Sequence, residues 1–165
     1  DALARAGATA IEAYFASRNA APVTAGDGRY TIYIPGGEGT EDLQLSLAST
    51  PASRGILARV KTRRGIPATE WPKALTFANQ WNRSSPLPQA VLASRDSGGQ
   101  AVGALFLEGF LPPSEQVDAD QLRRFIETVV AGARQFWSSD KVRDLTRAVP
   151  PAPAPATASA GGAGA

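Results

Sequence analysis

Trp71-Pro72-Lys73-Ala74-Leu75-Thr76-Phe77-Ala78-Asn79-Gln80-Trp81-Asn82-Arg83 is the stretch that decides how this chain folds. Trp71, Ala74, Leu75, Ala78 and Trp81 recur at helical spacing and make one apolar stripe, so the stretch reads as a single helix. Pro72 fits a helix only in its first turn, and Thr69 is the N-cap candidate. Asn79, Asn82 and Arg83 end the segment with amides and a guanidinium that can bind neighbouring backbone or a partner. β-type sequence lies on both sides.

Upstream, Leu3, Ala6, Ala10, Ile11, Tyr14 and Phe15 mark the apolar face of a helix over 2–19. Three strands follow: Arg29 to Ile34, then Leu43 to Leu47 with strict alternation, then Ile56 to Thr62. Arg64-Gly65-Ile66-Pro67 leaves the sheet. Downstream, Gln89 to Ser94 and Ala101 to Phe110 are two more strands, joined by a hairpin-type turn through Gly98-Gly99. The second is apolar on both faces around Leu105, Phe106 and Leu107, as a central strand covered by helices would be. Asp118 or Asp120 then starts a long helix with the stripe Leu122, Phe125, Ile126, Val129, Val130, Ala133, Phe136 and Trp137. That helix breaks near Ser138-Ser139 and resumes to about Ala148. The order α-β-β-β-α-β-β-α has too few crossovers for a parallel sheet. It predicts an α+β fold, a five-stranded antiparallel sheet with helices packed on it.

A chain of 165 residues is one domain by size and can bury about two-thirds of its unfolded surface. Residues 1–149 are read as that domain, and residues 150–165, rich in Pro, Ala and Gly, as a disordered tail. The formal charge of +2 argues against a strong non-specific polyanion binder. No Cys and no His are present. Disulfides, thiol nucleophiles and the commonest general base and metal ligand are therefore all missing. No run of apolar residues is long enough for a transmembrane helix. The absence of Met, even at position 1, points to a longer precursor or a fragment and leaves export open.

The order of elements and the residues around it resemble the YbjN-domain family, whose members look like the small chaperones of type III secretion effectors. The resemblance is carried by Ala78-Asn79-Gln80-Trp81-Asn82-Arg83, by the strand Ala104 to Phe110 before Leu111-Pro112, and by Ala131-Gly132-Ala133-Arg134-Gln135-Phe136-Trp137. It covers roughly Ala2 to Trp137 and is strongest from Trp71 onward. It implies a secretion-chaperone-like fold and a non-enzymatic, homodimeric, protein-binding or sensory-transduction-regulating role in the bacterial cytoplasm. It carries no catalytic residues and no cofactor.

Six residues are candidates for partner binding: Asn79, Trp81, Asn82, Arg83, Phe136 and Trp137. The structural alternative makes Trp81 core and turns both asparagines into caps for the helix end and the following turn. Phe136 and Trp137 either pack on their own sheet or extend past it to a dimer contact. Arg59, Lys61 and Arg63 alternate along one strand face, with Arg64 just beyond, and form a candidate anion-binding stripe. The alternative is the solvated face of an edge strand, where Lys and Arg discourage edge pairing. The neighbours Val60 and Thr62 supply no aromatic interleaving for stacking bases.

The remaining motifs carry less. Gly36-Gly37-Glu38-Gly39 joins two strands and lacks the Gly-Lys-Ser/Thr of a phosphate loop. Glu108 is a carboxylate in an apolar strand, either buried or turned to solvent. No carboxylate set has the spacing of a metal loop. Serines such as Ser84, Ser85 and Ser97 have no His base and no nucleophile elbow. The sequence thus favours a protein-binding, homodimeric module with no cofactor or metal, and the alternative is a nucleic-acid or anionic-ligand binder through Arg59 to Arg64.

Overall fold

The computed structural model describes residues 2–26, 28–97 and 100–146. The expected tail from residue 150 lies outside the described residues. In chain order the elements are α1 (Ala2–Ser17), β1 (Val23–Ala25), β2 (Arg29–Ile34), β3 (Leu43–Thr50), β4 (Gly55–Lys61) and β5 (Ile66–Pro67). A 3-10 turn (Ala68–Glu70) leads into α2 (Trp71–Ser84), followed by β6 (Gln89–Ser97), β7 (Gln100–Leu111), α3 (Ala119–Ser138) and α4 (Asp140–Thr146).

Among the described residues the strands form one seven-stranded antiparallel sheet in place of the five expected. The two additional strands are short. β1 pairs with β2 across a turn in which Gly28 takes a positive φ of 79°. β5 is the segment that was expected to leave the sheet; it pairs instead with the start of β7, Ile66 opposite Gly103. β4 and β5 thus share one edge of β7, and β6 takes the other.

Burial alternates strictly along β3: Leu43, Leu45, Leu47 and Ser49 are buried, and the residues between them are not. The same parity puts Ala58 and Val60 of β4 and Leu105 and Leu107 of β7 inside. This face packs on the helices. Gly7 of α1 lies against Ser49 and Ile56, and Val129 and Phe125 of α3 close over Gly109. Val142 and Leu145 of α4 join the same core. The helices of the described residues therefore sit on one face, and the other face of the sheet is open. The expectation that helices cover both sides of the strand through Phe106 is corrected: Phe106 lies on the open face.

The helix at Trp71 does organise the packing, with two corrections. Its N-cap is Glu70, and Thr69 belongs to the preceding 3-10 turn. Its inward stripe is Trp71, Ala74, Phe77, Ala78 and Trp81, while Leu75 is 48% exposed. Asp118 caps α3 by accepting from the Asp120 and Gln121 amides at 2.7 and 3.3 Å. The expected break near Ser138-Ser139 separates α3 from α4.

Candidate functional site

The end of α2, where sequence points to a partner surface, is a structural corner. Trp81 is half-buried, and its Nε1 donates to the Pro88 carbonyl at 2.8 Å. Asn82 donates from Nδ2 to the Ala90 carbonyl at 2.9 Å and accepts at Oδ1 from the Ala90 amide at 2.6 Å. Across the corner, a Cβ on Gly132 of α3 would come within 2.3 Å of Pro88 Cδ, so only glycine lets the helix approach the loop this closely. The Leu87-Pro88 peptide bond is cis.

Phe136 packs edge-on to Trp81 at a ring distance of 5.3 Å, and Trp137 lies 4.6 Å from Phe136. Both are interior: Phe136 is 0% and Trp137 6% exposed. A contact that extends past the core through Phe136 and Trp137 is therefore corrected to packing within the chain. Asn79 and Arg83 are exposed on the outer side of α2. Of the residues that carry the family resemblance, Trp81, Asn82, Gly132 and Phe136 meet here, and they join the end of α2 to the start of β6 and to α3.

The basic stripe has a different setting from the one expected. β4 lies between β3 and β7 and is no edge strand. Arg59, Lys61 and Arg63 project on the open face, whereas Arg64 turns away and pairs with Glu41 at 3.1 Å. Aromatic rings are interleaved with the stripe across strands. The Arg59 guanidinium and the Lys61 ammonium each lie 5.9 Å from the centre of the Phe106 ring, and Arg63 lies 4.9 Å above Tyr33. Arg59 also pairs with Glu108 on β7, Nε to Oε2 at 2.6 Å. Glu108 is thus turned to the open face and bound to a cation there.

Apolar groups surround this row. Phe110 is 47% exposed, Tyr33 42% and Val91 40%. Leu57 is half-buried opposite Phe110 in the β4–β7 ladder, and Val91 stands opposite Phe106 in the β6–β7 ladder. Sequence places none of Tyr33, Leu57, Phe106, Phe110 and Val91 among the binding candidates. The signal was available: Phe106, Glu108 and Phe110 alternate against Leu105, Leu107 and Gly109, and only one set can face the helices.

Other surfaces offer less chemistry. A groove of about 690 Å³ between α2 and α4 is lined by Glu70, Lys73, Phe77, Lys141 and Asp144 among others. Among the described residues no three His, Cys, Asp or Glu side chains are grouped to hold a metal ion. No helix among them is long and apolar enough to cross a membrane.

A family model named YbjN, described as "Putative bacterial sensory transduction regulator", matches residues 8–139. A crystal structure described as "YbjN, a putative transcription regulator from E. coli" has a similar fold. It has a TM-score of 0.55 at 12% identity, over 87% of this chain and 94% of that one. No curated protein matches the chain.

Proposed function

This chain belongs to the YbjN family, and from that premise we propose that it is a non-enzymatic regulatory module that binds a protein segment across the open face of its sheet. The observation that carries the proposal is the one-sided packing. Among the described residues this face carries no helix, and it exposes Tyr33 on β2, Val91 on β6 and Phe110 on β7 around a row of cations. Several large apolar groups exposed on one face mark interaction surfaces more often than a single one does. The family's description as a regulator and the lack of Cys and His support a binding role over catalysis.

Selection of a displayed peptide library on the full chain, repeated on Phe110→Asp, tests the proposal. Peptides that bind the chain and not the variant are expected, with circular dichroism showing that the variant is folded. Binders indifferent to the substitution, or none at all, would overturn it.

What the sequence resemblance implies extends the proposal to a chaperone-like homodimer working in the cytoplasm. Sedimentation velocity at high micromolar concentration tests the dimer, and a strictly monomeric mass refutes it. A second function, holding an anionic ligand or nucleic acid on Arg59, Lys61 and Arg63, is favoured by the row of cations itself, which three side chains of one sign form on the open face. It requires binding that weakens steeply with salt.

A further inference from the structure

We infer that the segment taken by the open face is acidic and extended, with a large apolar residue at one end. The inference rests on the proposed protein-binding role and names the chemistry of the partner. Its first support is charge. Arg29, Arg59, Lys61 and Arg63 line this face on β2, on β4 and just past the end of β4, and in the sequences of β2, β3, β4 and β7 the only carboxylate is Glu108.

The second support is spacing. Arg59 and Lys61 stand at alternate positions of β4, roughly 6.6 Å apart along the strand, and Arg63 follows at the bend just past its end. Carboxylates at alternate positions of an extended peptide have the same repeat. Leu57 and Phe110, paired across β4 and β7, sit beside the Arg59 end of the row and offer an apolar seat there.

The third support separates a peptide from a nucleic acid. The rings of Phe106 and Tyr33 already carry Arg59, Lys61 and Arg63 over them. A base would have to displace a cation to stack. A carboxylate needs only the outward N–H groups of a guanidinium already positioned on its ring. Arg59 displays that contact internally, bound to Glu108 at 2.6 Å.

Fluorescence anisotropy on the full chain tests the inference with three labelled probes. One is an alternating Glu-Thr peptide ending in Leu-Phe, the second is the same peptide with Lys for Glu, and the third is a single-stranded oligo-dT of equal length. The Glu peptide is expected to bind tightest, to weaken with added salt, and to lose about ten-fold in affinity on Arg63→Glu. Arg63 is exposed, so that variant should keep its fold. No binding of the Glu peptide, or equal or tighter binding of the Lys peptide or the oligonucleotide, overturns the inference. If the Lys peptide binds and Phe110→Asp abolishes it, only the acidic preference fails. If the display selection also yields no binder that depends on this face, the proposed function fails with it.

Discussion

Asn82 holds Ala90 by both hydrogen-bonding groups of its backbone, Nδ2 to the carbonyl at 2.9 Å and Oδ1 to the amide at 2.6 Å. Ala90 lies on β6, whose only pairing strand among the described residues is β7. The side-chain amide therefore stands where a further strand would be and occupies the start of that edge. Asn82→Ala would leave a donor and an acceptor on a residue that is 4% exposed. A loss of about 2 kcal/mol is expected in urea unfolding. Asn82→Asp keeps the acceptor and should fall between the two.

The Trp71 indole makes a second tie. Its Nε1 donates to the Ile66 carbonyl at 3.0 Å, and the ring lies so close to β7 that a Cβ on Gly103 would be 2.4 Å from Nε1. The indole thus anchors β5 beside β7. Trp71→Phe removes the donor, and a loss of about 1 kcal/mol is expected. Gly103→Val should cost more, because the ring must move. A Gly103→Val variant with an unchanged melting temperature would contradict this packing.

Alkaline pH should find one specific weak point. Tyr30 Oη donates to Glu12 Oε1 at 2.7 Å. That bond, with burial and the charge of the carboxylate, pushes the Tyr30 hydroxyl up to about 12 from 10.0. The folded chain then keeps a proton that the unfolded chain gives up. The stabilisation is fully present below pH 10 and is lost as pH rises through about 12. Tyr30→Phe is expected to be less stable than the wild type at neutral pH and to lose less stability over that window. Parallel curves of stability against pH would exclude the mechanism.

The open face should be dispensable for folding. Arg59 and Glu108 are 49% and 30% exposed in their side chains, so Arg59→Gln is expected to change stability by less than about 1 kcal/mol. Tyr33→Ala should behave similarly, since Tyr33 is 42% exposed. Phe136→Ala is the contrast, because that ring is 0% exposed, and about 4 kcal/mol should be lost. Thermal melts of the three variants provide the comparison.

Periodicity made most of the elements legible. Leu43, Leu45 and Leu47 announced a half-buried strand, and the stripe from Leu122 to Trp137 announced α3. β1 and β5 escaped because segments of three and two residues have no period to detect; each exists through a longer partner strand. The candidate site was half legible. Alternation placed Arg59, Lys61 and Arg63 on one face, but Tyr33 and Phe106 reach them only through strand order, which no local pattern contains. Phe136 and Trp137 were ambiguous because an aromatic helix end looks alike in a core and at an interface. Tertiary packing turns both inward, Phe136 against Trp81 and Trp137 against Phe136.

The central claim is that the open sheet face is where a partner binds, and NMR shift mapping tests it most directly. The full chain, labelled with 15N and 13C, would be titrated with the tightest peptide from the display selection. Shifts concentrated on Tyr33, Lys61, Phe106 and Phe110, with the core-facing Leu45 and Val60 nearly still, are expected. Shifts concentrated instead on Lys73, Phe77 and Lys141, in the groove between α2 and α4, would contradict the claim.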